Sequence, residues 1–378
     1  DSRDAVMATV SEAVEDAVKN FRANDYPARC MAEWCRANLD LPITPDRIRG
    51  DDLDDIQAAV RQFAVQESRE VINTSVGEYI DIDAPPKEWD VRGLVDWASR
   101  SFNTTRTQNQ VRKVDPGEIP EWLLEAAEQH YAAVDLSGLA AYRDEDYPLL
   151  MLAEWCRAKF GLDIRADGLR DRTVAELNTF IHERVDALYL EREIAYPPEA
   201  ALERSGALHE GVDSAYVAQA LCEWTNRKFA LDRKPEHFQD REPSDIYEEL
   251  VALNREYLTN GKLSAEIDQA ITGKSEDECV AWAQQRFGPA WNPLQFEQPG
   301  ELRDRLLDQG REMLRYELSR LEQAVLLRIH DQCWKDHLLE MDHLKSAIMQ
   351  RPMGGDQTHP QSQYAIEGRE FFEEMWSR

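Results

Sequence analysis

The run WKDHLLEMDHLKSAIMQRP, Trp334 to Pro352, decides the fold of the chain's last third. It carries two histidines and three acids, so it reads either as an acid/base or metal site or as a polar-decorated helix. The flanking residues favour the helix. Between Glu301 and Gln350 Gly310 is the one weak point, and apolar residues recur at 314, 318, 321, 325 and 329, then at 334, 338, 341, 344 and 348. Steps of three and four residues keep these groups on one helical face. A helix of about 50 residues rises roughly 75 Å at 1.5 Å per residue. Arg351-Pro352 ends it, because the residue before a proline is pushed out of the helical region. MGGDQTHP then reads as a loop, and QSQYAIEGREFFEEMW resumes helical spacing, giving a helical hairpin with Met353 at its tip.

Glu340-x-x-His343 has the spacing of half a carboxylate-bridged di-iron site. Such a site needs a second Glu-x-x-His and two more inward glutamates. The sequence offers no clear second copy, so a metalloenzyme built on Glu340 and His343 is the minor reading and no metal ligand is assigned. Asp336, His337 and Asp342 read as partners for polar groups on neighbouring helices.

Upstream, five stretches align: MAEWCRANLDLPI from Met31, LVDWASRSFNTTR from Leu94, LAEWCRAKFGLDI from Leu152, LCEWTNRKFALDR from Leu221 and CVAWAQQRFGPAW from Cys279. Each sets a Trp (34, 97, 155, 224, 282) five residues before a Leu or Phe, as one face of a short helix requires. A turn-rich loop and a second helical run follow, so the unit is a helix–loop–helix of about 60 residues, longer than a usual solenoid period. The Trp and Phe are expected in cores, a cofactor box being the minor alternative. Thr173-x-x-Glu176 and Ser275-x-x-Glu278 read as capping boxes. TGKS at Thr272–Ser275 imitates the end of a phosphate-binding loop, but Asp268 stands where that loop needs glycine and no buried strand precedes it. No catalytic residue is assigned anywhere in the chain.

Composition sets outer limits. The 378 residues carry a formal charge of −29, which repels nucleic acid phosphates and anionic membranes. No stretch approaches the roughly 18 apolar residues that span a bilayer. Cys30, Cys35, Cys156, Cys222, Cys279 and Cys333 form no CxxC pair and read as reduced thiols of a cytosolic protein rather than a disulfide or zinc framework. The chain opens on Asp1 and reads as a fragment or excised region.

The stretch AVLLRIHDQCWKDHLLEMDHLKSAIMQRP, followed by YAIEGREFFEEM, resembles the helical scaffold and two-helix finger of SecA, the motor ATPase of bacterial preprotein export. The resemblance rests on Val325, Leu326 and Leu327, then Trp334, His337, Leu338, Met341, Asp342 and Leu344, then Arg351, Tyr364, Glu367 and Phe371. PPKEWDVRGLVDWASRSF from Pro85 is similar, more weakly, to the start of the family's helical wing. Residues 1–22 resemble the end of the long scaffold helix, with an apolar stripe expected to lie along the helix of about 315–350. The resemblance implies an all-α fold: long scaffold helices plus an enlarged helical wing of tandem Trp-containing hairpins. Residues 1–24 would end a scaffold helix, 25–299 would form the expanded wing, and 300–378 would form scaffold helix and finger. It implies that this part couples ATP hydrolysis to preprotein translocation, with Arg351 and Met353 at the finger tip contacting preprotein and channel. Implied partners are the preprotein, a SecY-type membrane channel and the parent's own ATPase motor domains, with no nucleic acid. ATP and Mg belong to that motor, and no cofactor to this chain. The implied location is cytoplasmic, peripheral at the inner face of the cell membrane. Two departures stand out: the wing is larger than the family's, and the tip RPMGGDQTHP is about two residues longer, with Met353 near the usual tip tyrosine. A stand-alone helical-repeat interaction module is the alternative.

Overall fold

The computed structural model describes residues 2–50, 52–81, 85, 87–288, 299–350 and 360–377. Fourteen α-helices and several short 3-10 turns occur among them, and no strand, so the fold is all-α. The helices are α1 Ser2–Phe21, α2 Tyr26–Leu39, α3 Leu53–Tyr79, α4 Val91–Phe102, α5 Gln108–Val111, α6 Ile119–Ala133 and α7 Tyr147–Phe160. They continue as α8 Val174–Ser205, α9 Ser214–Phe229, α10 Pro243–Leu258, α11 Lys262–Ile271, α12 Glu276–Phe287, α13 Pro299–Gln350 and α14 Pro360–Ser377. The chain divides into two compact units, one ending at Val185 and the other beginning at Asp186, so that α8 starts in the first and ends in the second.

Several of these helices start on a polar residue for a common reason. The first amides of a helix have no partner inside it, and a side-chain oxygen must accept from them. The Asp52 carboxylate accepts from Asp55 N at 2.9 Å and that of Asp90 from Gly93 N at 2.9 Å. Both capping boxes read from the sequence form: Thr173 N donates to Glu176 at 2.8 Å, and Ser275 N donates to Glu278 at 2.8 Å. Ser275 thus serves as a helix cap, and Thr272 is the cap that ends α11.

Three of the five Trp helices belong to one recurrent module. α2, α7 and α9 each end in a residue with left-handed backbone: Asp40 (φ 51°), Gly161 (φ 70°) and Ala230 (φ 50°). At the same spacing from each Trp follow the 3-10 turns Pro45–Arg47, Ala166–Gly168 and Pro235–His237. A buried apolar side chain comes next (Ile48, Leu169 and Phe238), then the second helix, α3, α8 or α10. α4 and α12 share the Trp-bearing helix and end at Asn103 (φ 45°) and Gly288 (φ 114°).

The indoles themselves are half-buried rather than enclosed. The fully buried positions are three before the Trp (Met31, Leu94, Leu152, Leu221, Cys279) and one after it (Cys35, Ala98, Cys156, Thr225, Ala283). Each Trp covers the rim and meets the following Phe edge-on, with centroids at 5.6 Å for Trp97–Phe102, 5.3 Å for Trp155–Phe160, 5.7 Å for Trp224–Phe229 and 5.6 Å for Trp282–Phe287. Trp34, whose partner is Leu39, packs on Gly138 instead. A large side chain with a polar N–H favours such a rim, where one end stays near water.

In the first unit three clusters carry the core. The end of α3 joins α4, α5 and α6 around Ile72, Leu94, Phe102 and Leu123. The start of α3 joins α2 and the 134–142 segment around Ile43, Val60 and Leu139. The third cluster buries Val14, Ala17 and Val18 of α1 with Leu152, Leu177 and Ile181 of α7 and α8. The second half of the apolar stripe of α1 is therefore covered inside its own unit, by α7 and α8. Any amphipathic face of the right width satisfies such a stripe.

In the second unit α8, α9 and α10 enclose Leu221, Phe238 and Leu250. α9 to α12 close on the start of α13 around Phe229, Ile267, Leu306 and Leu314. Each fully buried aliphatic side chain stabilises by about 1.5–3 kcal/mol. At Gly310 α11 packs tightly on α13: a Cβ there would lie 2.7 Å from Leu263 Cδ1. All six cysteines are free. Cys35, Cys156, Cys222 and Cys279 are buried, and burial pushes the Cys35 and Cys156 thiols up to about 11.

Candidate interaction surface

α13 runs for 52 residues, matching the length expected from the stripe, and the structure splits that stripe into three parts. At its start Leu314 and Leu318 are buried within the second unit. At its end Leu344 and Ile348 are buried in the hairpin that α13 makes with α14, where Met375 is buried too. The middle is bare. Val325, Leu326 (64% exposed), Leu327 (70% exposed), Ile329, Trp334, Leu338 and Leu339 all face solvent. Scattered apolar residues on a surface are ordinary, but a contiguous run marks a place where another surface docks. A helix this long cannot bury its whole stripe against the short helices around its start.

The base of this bare segment is fixed by buried charge. Lys228 on α9 pairs with Glu317 on α13, with side-chain exposures of 4% and 6%. Trp224 Nε1 donates to the same carboxylate at 2.8 Å, and Lys228 Nζ also donates to the Met313 carbonyl at 3.3 Å. Burial pushes the Lys228 amine down to about 8, Glu317 opposing the shift and the Arg204 charge adding to it. Two residues along α13, buried Arg315 pairs with Glu193 of α8 at 3.4 Å and Glu322 at 3.3 Å, and donates to the Tyr189 hydroxyl. Tyr189 OH in turn donates to Glu322, and burial, with that carboxylate, raises the phenol. A buried pair holds one geometry because breaking it strands a charge without water. Residues 313–322 of α13 are thereby locked to α8 and α9, and the bare segment projects from a rigid seat.

The sequence pattern missed this seat. Arg315 and Glu317 lie between Leu314 and Leu318 and read as the solvated side of the stripe. The one available signal was Lys228 itself, in an EWxxxKF run repeated at Lys159.

His337 is buried, but its ring lies between Trp334 (5.7 Å) and Phe372 (5.8 Å) rather than among polar groups. The Asp336 carboxylate accepts from Gln332 at 3.0 Å within α13, so the inter-helix partner expected for this acid is replaced by a local one, and the Asp342 backbone carbonyl accepts from Ser346 at 3.0 Å. Helix geometry places four-residue neighbours within reach. Glu340 is half-buried and His343 exposed. Among the described residues no group of three or more His, Cys, Asp or Glu is placed to hold a metal. Arg351 and Met353 lie outside the described residues. No helix among the described residues is long and apolar enough to cross a membrane.

Residues 203–378, which contain α9 to α14, match the family described as SecA Wing and Scaffold domain. Along 99% of its length the chain is 22% identical to Protein translocase subunit SecA 1 of Rhodopirellula baltica, and it spans 32% of that protein. Protein translocase subunit SecA of Tropheryma whipplei is 45% identical over 58 residues, 15% of this chain and 7% of that one. The Anaeromyxobacter protein of the same name is 48% identical over 58 residues, 15% of this chain and 6% of that one. No solved structure matches.

The resemblance to SecA that the residues from Val325 to Phe371 carried thus holds at two scales. The wing-and-scaffold match covers residues 203–378, a little under half of the chain, and a 22% identity to a SecA runs through nearly the whole of it.

Proposed function

We propose that this chain is the scaffold, wing and finger part of a SecA-like motor, coupling ATP hydrolysis to preprotein movement through a membrane channel. The observation that carries the reading is the set of exposed apolar side chains on α13, Val325 to Ile329 with Trp334, Leu338 and Leu339, inside the part that matches the wing-and-scaffold family. A surface of that kind, projecting from a charge-locked seat, suits a rod that ATP-driven domains grip and push. In this reading residues 1–24 end a scaffold helix, 25–299 are an expanded wing, and 300–378 are scaffold helix and finger. Arg351 and Met353 then sit at the tip that touches the moving chain. An unbranched thioether adapts to many apolar sequences, as a changing preprotein would require. ATP and Mg are bound by the parent's motor domains, the preprotein and a SecY-type channel are the partners, and the parent works at the inner face of the cell membrane.

The test uses the parent protein with channel-bearing vesicles. Met353→Gly is expected to impair preprotein transport while folding and basal ATP hydrolysis stay near normal. Unchanged transport would reduce the tip to a connector. An upstream reading frame without a GxxxxGK[ST] loop would sink the motor assignment and favour a stand-alone module.

A further inference from the structure

The second Trp module, α7 with the start of α8, carries the residues that the third module uses to hold α13, its two aromatic rings half-buried at the edge of its own core cluster. Trp155, Lys159 and Phe160 stand where Trp224, Lys228 and Phe229 stand, and the two aromatic pairs have the same edge-on geometry, 5.3 Å and 88° against 5.7 Å and 84°. In the third module this face is covered: Phe229 is fully buried beside Leu314, and Trp224 Nε1 and Lys228 Nζ both meet Glu317. In the second module Lys159 is exposed and Phe160 half-buried. Among the described residues nothing accepts from Trp155 Nε1 and no carboxylate pairs with Lys159. The first module has lost the device, with Asn38 in the lysine's place, its amide donating to the Trp34 carbonyl at 2.9 Å.

We propose that the Trp155–Lys159–Phe160 face docks an amphipathic helix of another protein that presents a glutamate between leucines, as α13 does with Leu314, Glu317 and Leu318. Charge complementarity favours this occupant. Lys159 shares the helical face of Trp155, is exposed and pairs with no carboxylate among the described residues, whereas Arg157 of the same turn is taken by Glu154 at 3.0 Å; in a chain of formal charge −29 that lone ammonium selects a helix that brings a glutamate to it. The indole N–H and the ammonium converge on one carboxylate, and the Phe ring receives the flanking leucines, as their counterparts do in the third module.

A peptide of residues 311–323, REMLRYELSRLEQ, stapled as a helix and fluorescently labelled, is the probe. The full chain's own α13 already fills the third module, leaving the second face for the peptide. Binding is expected to weaken about tenfold in Lys159→Glu, the scale of one lost charge pair, and about threefold in Trp155→Phe, which keeps the ring but removes its N–H. A peptide with lysine in place of Glu317 should recover affinity for Lys159→Glu. No binding to the wild-type chain, or equal binding to both variants, overturns the proposal. Self-association of the chain that Lys159→Glu abolishes would overturn it in another way, by giving the face to a second copy.

Discussion

Asn254 replaces the amides that Pro197 and its neighbour Pro198 remove from α8. A proline nitrogen has no hydrogen to give to the carbonyl four residues earlier. Asn254 Nδ2, fully buried on α10, donates to the two carbonyls left over, Glu193 O at 3.1 Å and Ile194 O at 2.9 Å. The double proline is tolerated inside a 32-residue helix because another helix supplies its donor.

Asn254→Leu keeps the volume and removes that donor. Two buried carbonyls then lose their partner, at a cost of about 2–4 kcal/mol in urea denaturation. In a Pro197→Ala/Pro198→Ala background the cost should fall by half or more, because restored amides satisfy the same carbonyls. An undiminished cost would show that Asn254 acts through packing alone.

Lys228 and Glu317 are expected to behave as a unit. Lys228→Met strands a buried carboxylate and should destabilise by about 3–5 kcal/mol. Adding Glu317→Gln removes the stranded charge, keeps an oxygen for Trp224 Nε1, and should recover most of the loss. Additive losses in the double variant would mean that the two do not couple.

The left-handed position after each Trp helix predicts opposite signs in two modules. Ala230 holds φ 50°, a conformation that costs an L-residue about 1–2 kcal/mol, so Ala230→Gly should stabilise by about 0.5–1 kcal/mol after the glycine's unfolded-state entropy is counted. Gly161 holds φ 70° with no atom within 4 Å of its missing Cβ, so Gly161→Ala should cost a similar amount through the backbone alone. Thermal unfolding of both variants checks the pair.

Periodicity made the helices legible, and caps made several of their ends legible. The stripe from Leu314 to Ile348 foretold α13, and Ser275 and Thr173 marked two starts. Periodicity does not say what covers a stripe: it could not show that α7 and α8 cover Val14 and Val18, or that Leu326 and Leu327 stay exposed in the middle of α13. The Trp repeat was visible but misread in one respect. The small residue after each indole, not the indole, occupies the centre of the core. The buried charges of the α13 seat were hidden because a lysine and a glutamate far apart in sequence look solvated until the fold pairs them.

Acid should weaken the second unit before it unfolds the helices outright. Burial pulls the Glu249 carboxyl up, but Arg241 at 2.6 Å, His237 at 3.0 Å and Arg233 at 2.5 Å outweigh it and hold the group below its usual range. The Glu278 carboxyl is held low by the Ser275 backbone amide. A carboxyl lowered by folding contributes stability that is present above its unfolded value and is lost as pH falls through the folded one. The melting temperature should therefore drop from about pH 4.5 downward, near the unperturbed Glu value. Glu249→Gln should lower it at pH 7 and flatten its fall in acid. A parallel fall in both proteins would remove Glu249 from the explanation.

The bare segment of α13 separates folding from function most cleanly. Leu326 and Leu327 are 64% and 70% exposed and lie between the charge-locked seat and the hairpin with α14, so neither anchors the chain's own core. Leu326→Ser/Leu327→Ser should change the stability of the chain by less than about 0.5 kcal/mol, the ordinary range for surface positions. In the parent protein the same substitutions remove the apolar surface that other domains are proposed to grip. Preprotein transport should then fall severalfold, with the ATP hydrolysis stimulated by preprotein falling alongside it. If the isolated chain unfolds instead, the segment belongs to a core of its own. If transport is unaffected, the docking surface lies elsewhere on the rod, and the proposed grip on α13 fails with it.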